Sequence, residues 1–210
     1  MSLWTTSWDG QTSRGSTARK GIFMYYSTVC SSPVGDITLA CDGGGKSLVG
    51  LWTQGQKYHG ASISEAMTVQ DDIPLFDNVK SWLDRYFAGE KPSVSQLSLA
   101  PMGSEFRQRV WSLLLKIPYG QVMSYGDIAK IVAEEMGKNT MSGQAVGGAV
   151  GHNPISIIIP CHRVIGQKGS LTGYAGGIQM KMKLLQLEGV DMTGMFIPSK
   201  GTANKQEQHT

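Results

Sequence analysis

The chain of 210 residues has 19 Lys and Arg against 16 Asp and Glu, a net charge of +3, with 40% hydrophobic residues and 27 glycines. This composition is globular, for one domain or two small ones, and excludes a disordered chain, a collagen-like fibre and a polycationic nucleic-acid coat. Three cysteines without a C-x-x-C pair exclude a disulfide scaffold and a zinc ribbon. No apolar run approaches the roughly 20 residues that span a bilayer, and no secretory signal is evident. We therefore expect a cytoplasmic protein with reduced thiols and no membrane partner.

Charge and composition divide the chain into four segments. Residues 1–23 are predicted to be a disordered leader or an added extension, and residues 198–210 a disordered tail. Residues 24–98 carry five basic and eight acidic residues, a net of −3, whereas residues 99–197 carry nine and six, a net of +3. This asymmetry predicts an N-terminal scaffold domain and a C-terminal domain that meets phosphate, with chance as the alternative.

The N-terminal half begins with strand patterns and ends with a helix. Short runs rich in β-branched and aromatic residues predict strands at residues 25–29, 37–41 and 48–52. Three glycines at 43–45 predict a hairpin turn between the last two strands. An apolar stripe with helical spacing predicts a helix over Pro74–Phe87 that ends at Gly89. Residues 91–103, with two prolines, are predicted to be a linker.

The C-terminal half is predicted to be mostly helical. Ser104 can cap a helix over residues 106–114, which the Pro-Tyr-Gly at 118–120 stops. Ser124 and Asp127 have the spacing of a capping box and open a helix that runs to Gly137. A third helix, capped by Ser142, covers residues 144–151. The second and third helices together form a helix-turn-helix candidate.

The third predicted helix is almost bare of side chains, with Ala145, Gly147 and Gly148 among its residues. Each glycine inside a helix costs about 1 kcal/mol relative to alanine. Two explanations are open: another helix packs closely on the bare face, or the backbone approaches a ligand such as a nucleic-acid groove.

A reactive cysteine is predicted after this helix. Residues 155–159 form a β-branched run that predicts a short buried strand or extended stretch, and it leads into Pro160, Cys161, His162 and Arg163. A thiolate needs a nearby base or cation, which His162 or Arg163 could supply. Since adjacent side chains rarely face each other, we expect a water-mediated relay. A buried core thiol is the alternative for Cys161, and no metal site is predicted.

Four short segments carry a resemblance to a known family. They are, in chain order between about residues 106 and 189, AVGGAVGHNPISIII, PCHRV, GYAGG and LLQLEG. On these segments the chain resembles the O6-alkylguanine-DNA alkyltransferases, also called methylated-DNA–protein-cysteine methyltransferases. The resemblance implies an α+β fold with a small ribonuclease-H-like N-terminal sheet domain. It also implies a mostly helical, winged-helix-like C-terminal domain that contains the helix-turn-helix.

The resemblance also implies a single-turnover DNA repair reaction without a cofactor. The Cys161 thiolate would attack the alkyl carbon on guanine O6, and the alkyl group would stay on the sulfur. His162 would be the water-mediated base, Glu188 the carboxylate that orients it, and Tyr125 the donor to the departing guanine oxygen. For Glu188, a solvated side chain at a helix end is the alternative.

The partner implied by the resemblance is double-stranded DNA that carries O6-alkylguanine, bound by a monomer. The alkylated base would be rotated out of the stack, with the glycine-rich helix in the minor groove. Asn153 would be a hinge, and Lys181 would lie near the pocket or on a solvated helix face. The residues expected to contact substrate or DNA are Gln144, Ala145, Gly147, Gly148, Asn153, Arg163, Tyr174, Ala175, Gly176 and Gly177.

Two features depart from the family pattern. Gln144 stands where the family often has Arg, which predicts weaker and less salt-sensitive duplex binding. The stretch around residues 134–141 is longer than usual, in the turn of the helix pair. Two other functions are considered: an alkyltransferase-like protein that binds the lesion without reacting, and a Cys-His hydrolase, which the adjacency of Cys161 and His162 disfavours.

Overall fold

The computed structural model describes residues 24–198, so the predicted leader and all but the first residue of the predicted tail lie outside the described residues. The first half of the described chain is rich in strands, and the second half is mainly helical. The strands are β1 (Tyr25–Cys30), β2 (Ile37–Asp42), β3 (Leu48–Thr53), β4 (Met67–Val69), β5 (Met123–Ser124) and β6 (Val164–Ile165). The helices are α1 (Pro74–Phe87), α2 (Glu105–Leu114), α3 (Tyr125–Glu135), α4 (Gly143–Gly151) and α5 (Ile178–Leu187). Across residues 24–198, no helix has the length and apolar character to cross a membrane.

The N-terminal half is a four-stranded sheet in the order β3-β2-β1-β4. Strands β1, β2 and β3 pair antiparallel as the sequence predicts, and β4 runs parallel to β1. The predicted glycine turn joins β2 to β3, where Gly45 takes a φ of +64° that an L side chain rarely adopts. Strand β4 is not predicted from the sequence, since three residues are too few to show an alternating pattern.

Helix α1 has the predicted bounds and is the element that connects the sheet to the second half. Its buried side chains share one apolar stripe and are Leu75, Phe76, Val79, Trp82, Leu83 and Tyr86. The helix gives way at Gly89, whose φ is +79°, as the sequence predicts. The stripe belongs to a core cluster that includes α2, α3, α4 and the segment around Cys161.

The three predicted serine caps begin the helices of the second half. The hydroxyls of Ser104, Ser124 and Ser142 accept from backbone N–H groups at the start of α2, α3 and α4. Helix α3 ends at Glu135 rather than at the predicted Gly137. Residues 136–142 form the turn of the helix pair and contain much of the longer stretch that departs from the family pattern.

The isoleucine run at 155–159 is buried but is not a strand, so that prediction is wrong. Only Ile155 pairs, through an isolated bridge to Leu51 of β3. Residues 156–158 turn, and Ile157 has a φ of +70°. The side chain of Asn153 accounts for the fold-back, because it accepts from the N–H of Ile155 and donates to the carbonyl of Ile159.

The two halves share a hydrogen-bonded seam along β3. Leu51 receives a bond from Ser156 and donates to Pro154. Along the same strand, Leu48 donates to Ser98 and accepts from Ala100. The predicted linker is therefore attached to the sheet over part of its length. Residues 154–156, a few positions before Cys161, are therefore bound directly to the N-terminal sheet.

Candidate active site

Cys161 begins a 3-10 turn, Cys161–Arg163, immediately after Pro160. The residue is 3% exposed, and Asn153 Nδ2 lies 3.0 Å from its Sγ and donates to it. Burial raises the pKa of the Cys161 thiol, while the Asn153 bond and the charge of Lys181 act in the opposite direction. The alternative of a buried thiol is right about location, but the polar partner is not typical of an inert core cysteine. All three cysteines, Cys30, Cys41 and Cys161, are free.

His162 points to a different set of partners from its neighbour. Its Nε2 lies 2.7 Å from Glu188 Oε1, and both side chains are fully buried. Since Glu188 is a carboxylate, Nε2 carries the proton and donates. Nδ1 of the neutral ring is then a free acceptor, and it is buried with no hydrogen-bond partner within residues 24–198. Burial lowers the pKa of His162, because the charged ring is disfavoured away from water, against the opposing effect of Glu188.

Glu188 caps the C-terminal end of α5 and is buried, so the alternative of a solvated carboxylate is wrong. Oε1 accepts from His162, from Tyr86 Oη at 2.8 Å and from Arg163 Nη2 at 2.9 Å. Oε2 accepts from Arg163 Nε at 2.8 Å and from the Gly120 N–H at 3.2 Å. Burial alone would raise the pKa of Glu188, but the bonds and charges of His162 and Arg163 lower it to about 2.

Arg163 lies in this network rather than among the DNA contacts where it was expected. Two of its nitrogens bind Glu188, and Nη1 donates to the Ile117 carbonyl at 2.6 Å. Its side chain is largely buried. These contacts give Arg163 a role in the Glu188 network, and its expected contact with substrate or DNA stays a prediction.

Lys181 is fully buried on α5, which contradicts the alternative of a solvated helix face. Nζ donates to the carbonyls of Val164 and, at 2.9 Å, Thr172. Burial lowers the pKa of Lys181 to about 8, against the opposing effect of Cys161. The ammonium thus ties the segment after Cys161 to the loop that precedes Tyr174, and it supplies positive charge near the thiol.

The loop before α5 brings Tyr125 and Tyr174 to the same region. Tyr125 Oη lies 3.2 Å from the Gly173 carbonyl and 3.3 Å from that of Thr172. The hydroxyl of Tyr174 is buried without a hydrogen-bond partner in the described part of the chain. Burial, followed by the charge of Cys161, raises the pKa of Tyr125 to about 12 and also raises that of Tyr174. Both phenols therefore remain protonated donors at neutral pH.

The glycines of this loop permit its path. A Cβ on Gly176 would lie 2.9 Å from the ring of Tyr174 and 3.0 Å from Met180 Sδ, and Gly177 has a φ of +87°. The carbonyl of Ala175 accepts from the Lys57 N–H of the N-terminal domain.

Helix α4 has an open face beside this loop. A Cβ on Gly148 or Gly151 would meet no atom within 4 Å, and one on Gly147 would only touch the ring of Tyr125. No other helix of the described residues packs closely on Gly148 or Gly151, so the first explanation is not supported there, and the approach of a ligand stays a prediction. Gln144 and Ala145 are exposed at the start of the helix. A cavity of about 280 Å³ separates the open face from Lys57, Tyr58 and the loop at 173–175.

The contacts of Tyr86, Gly120 and Arg163 with Glu188, and that of Asn153 with Cys161, were not predicted from the sequence. Tyr86 had been counted only as part of the apolar stripe of α1. A tyrosine in a buried stripe needs a partner for its hydroxyl, and this is the signal that could have found it.

Within residues 24–198, no group of three His, Cys, Asp or Glu side chains is placed to hold a metal ion.

A buried thiol, a His-Glu pair and an open helix of a helix-turn-helix are the parts of a cysteine-dependent group-transfer protein that acts on nucleic acid. Comparison with known proteins agrees. The family model for the DNA binding domain of 6-O-methylguanine DNA methyltransferase matches residues 105–190, and the model for its ribonuclease-like domain matches residues 24–101. The chain therefore belongs to the 6-O-methylguanine DNA methyltransferase family. It is a DNA repair protein that transfers an alkyl group to one of its own cysteines, and a lesion-binding protein without reactivity is not favoured.

Similar proteins cover most of the described chain. The methylated-DNA–protein-cysteine methyltransferase of Haemophilus influenzae is 39% identical over 181 residues, 86% of this chain and 92% of that protein. That of Methanosarcina acetivorans is 43% identical over 166 residues, 79% of this chain and 99% of that protein. The crystal structure of Mycobacterium tuberculosis OGT in complex with DNA is similar with a TM-score of 0.65 and 42% identity, over 79% of this chain and 92% of that one.

Proposed function

We propose that Cys161 is the alkyl acceptor and that the substrate is O6-alkylguanine in double-stranded DNA. The observation that carries this proposal is the state of His162. Its Nε2 is bound to Glu188, and its Nδ1 is a buried acceptor without a partner in residues 24–198. This arrangement leaves one free lone pair on the residue that directly follows Cys161, and the side-chain amide of Asn153 donates to the Cys161 sulfur.

The reaction begins with deprotonation of the thiol. One water passes the Cys161 proton to His162 Nδ1, and Glu188 stabilises the imidazolium that forms. Asn153 and Lys181 favour the thiolate, since one donates to the sulfur and the other carries positive charge. These groups oppose the effect of burial, which still raises the pKa of the resting thiol and keeps it protonated.

The thiolate then attacks the alkyl carbon in line with the bond to guanine O6. The new bond joins sulfur and carbon, the carbon–oxygen bond breaks, and its electron pair moves into the guanine ring. Tyr125 Oη donates to the oxygen as charge develops there. The guanine anion takes up one proton, which balances the proton that His162 accepted from the thiol and then gives up, so the products are guanine and an S-alkylcysteine. The protein is used once and needs no cofactor.

DNA approaches through the open face of α4. A minor groove is about 6 Å wide, and Ala145, Gly147 and Gly148 offer it a narrow surface. The alkylated base leaves the stack and enters the region between this helix and the loop of Tyr174, where the unpartnered hydroxyl can bind a base edge. Gln144 lies at the start of the helix and can bond to the orphaned pyrimidine. The weaker and less salt-sensitive binding that its lack of charge implies stays a prediction.

The proposed function also concerns the domain organisation, the oligomeric state and the location of the protein. We propose two working units, a scaffold at residues 24–98 and an acceptor domain at residues 99–197. A protein that reacts once at one cysteine can act as a monomer, and its substrate places it in the cytoplasm, on the chromosome.

The test is the mass of the intact protein after incubation with an oligonucleotide that contains O6-methylguanine. We expect one added methyl group, on the peptide that contains Cys161, and no addition with unmodified DNA. Cys161→Ala should bind the same DNA and gain no mass. Binding without any gain by the natural chain would indicate the lesion-binding alternative, and repeated turnover would indicate a hydrolase.

A further inference from the structure

The N-terminal domain contributes one hydroxyl to the buried network of the site. Tyr86 comes from the last turn of α1, and its Oη lies 2.8 Å from Glu188 Oε1 and 3.5 Å from His162 Nε2. Because Nε2 already donates to Glu188, the phenol has the carboxylate as its acceptor. The bond crosses 102 residues of sequence and both halves of the molecule.

The surroundings of Tyr86 hold this hydroxyl in one place. The residue is 1% exposed. Its ring stacks on Trp82 with centroids 5.6 Å apart and meets Phe87 and Tyr119 edge-on at 5.3 and 6.0 Å. A ring fixed by three aromatic neighbours has lost its rotational freedom on folding, so the donor is already aimed when the reaction starts.

We infer that Tyr86 is a positioning residue for alkyl transfer, which acts through Glu188 and so couples the N-terminal domain to the reacting cysteine. This inference rests on the proposed function. Tyr86 has two effects on the carboxylate. It fixes Oε1 in line with His162 Nε2. It also disperses part of the negative charge of the carboxylate, which would otherwise act more strongly on the imidazole.

The second effect has a direction that can be measured. Without the phenol donor, Glu188 carries more charge toward His162 and holds a proton on the ring more firmly, so the pKa of His162 rises. The neutral base is then lost at a higher pH as the solution is acidified. The other titratable and charged groups that face the pair are Arg163 from the same turn, Lys181 from α5, Tyr119 from the segment after α2 and Tyr174 from the loop before α5. All of them are kept in a variant that replaces Tyr86 alone.

The experiment compares Tyr86→Phe with Tyr119→Phe. Both substitutions remove one phenolic oxygen at the same junction, but Tyr119 donates to the Leu187 carbonyl at 3.1 Å and not to the carboxylate. The rate constant of methyl transfer is measured in single turnover at saturating methylated DNA across a pH series, with the DNA Kd measured in parallel. We expect Tyr86→Phe to slow transfer roughly tenfold at neutral pH, with unchanged Kd and an acid limb that moves to higher pH. Tyr119→Phe should behave as the natural chain.

A double-mutant cycle with Glu188→Gln tests the route. If Tyr86 acts through Glu188, the double variant should be about as slow as Glu188→Gln alone. Additive losses, or a slower Tyr86→Phe whose acid limb does not move, would overturn the inference and leave a packing role. Should Tyr86→Phe be too unstable at the assay temperature, the same pH series at a lower temperature, where the variant is folded, is expected to show the same acid-limb shift. If the natural chain itself failed to methylate Cys161, the proposed function would fail instead.

Discussion

Glu188 occupies the C-terminal end of a helix, where the dipole is unfavourable for a carboxylate. Its two oxygens nevertheless accept from five donors on four residues, which are Tyr86, Gly120, His162 and Arg163. Removal of the carboxylate leaves all of these buried donors without their acceptor, so we expect this one side chain to matter to both stability and reaction.

The depressed pKa of Glu188 predicts an acid-sensitive fold. The carboxyl titrates near 4.5 when unfolded and at about 2 when folded, so its contribution is complete above pH 4.5 and is lost as pH falls toward 2. We expect the free energy of unfolding, measured by urea titration, to fall through this window. In Glu188→Gln the protein should be less stable at pH 7, and the part of the slope due to this group should vanish. An unchanged slope in the variant would assign the acid sensitivity elsewhere.

At the scale of single residues, the sequence identifies the side chains and the pairing of His162 with Glu188, but not their other contacts. Cys161, His162, Glu188 and Tyr125 were all named from the motif and lie in one region. The motif could not show that Arg163 binds Glu188, because 25 residues separate them in the chain. It also could not show that the amide of Asn153 reaches the sulfur. Such contacts depend on how the turn at Ile157 closes, which is a property of the whole fold.

Among the elements, α4 combines poor helix formers with an open face. The structure offers no packing partner on Gly148 or Gly151 in the described chain. The helix is held instead from its buried side, where Val146, Ala149 and Val150 pack, and by the Trp111 indole, which donates to the Ala149 carbonyl at 2.9 Å. The glycines therefore weaken the free protein, and the surface they leave is available to DNA.

Replacement of Gly148 by alanine should separate stability from DNA binding. The added Cβ meets open space, so we expect Gly148→Ala to stabilise the protein by up to about 1 kcal/mol while it weakens duplex binding. Thermal unfolding and a fluorescence titration with methylated duplex measure the two effects, and Gly148→Leu should extend the loss of affinity. Transfer from the free base O6-methylguanine is the control, since it requires no groove. Equal duplex affinity in all three proteins would contradict the placement of α4 in the groove.

Element boundaries set by local chemistry were predictable from sequence. The three serine caps and the glycine after α1 each satisfy or end a helix through neighbours a few residues away. The run at 155–159 was misassigned because its β-branched composition favours a strand, whereas tertiary contacts from Asn153 and Leu51 bend it. Local propensity yields to such contacts where the segment is buried.

On the scale of the whole molecule, the reacting segment is packed against both domains. The β3 seam holds residues 154–156, and α1 delivers Tyr86. The charge asymmetry between the halves predicted two units but gave no sign of this seam, since hydrogen bonds between backbone groups leave little trace in composition. The extent to which the sheet supports the site had to come from the structure.

Methylation of Cys161 should destabilise the spent protein. The methyl group is added at a residue that is 3% exposed, and Asn153 Nδ2 loses its sulfur acceptor. Overpacking and a weakened bond together cost about 1–3 kcal/mol, so we expect Tm to fall by roughly 5 °C. Differential scanning calorimetry of the reacted protein gives the measurement, and Cys161→Ala exposed to the same DNA gives the control. A reacted protein with an unchanged Tm would mean that the pocket already accommodates the product.

The burial of the thiol also determines which reagents in solution it does not react with. Alkylating agents and oxidants dissolved in the cell meet a sulfur that is shielded and still protonated, because thiolates are what such reagents consume. Because each molecule reacts only once, this burial protects the protein from inactivation by reagents other than its substrate. The cysteine therefore reacts with alkyl groups already attached to DNA rather than with alkylating agents in free solution.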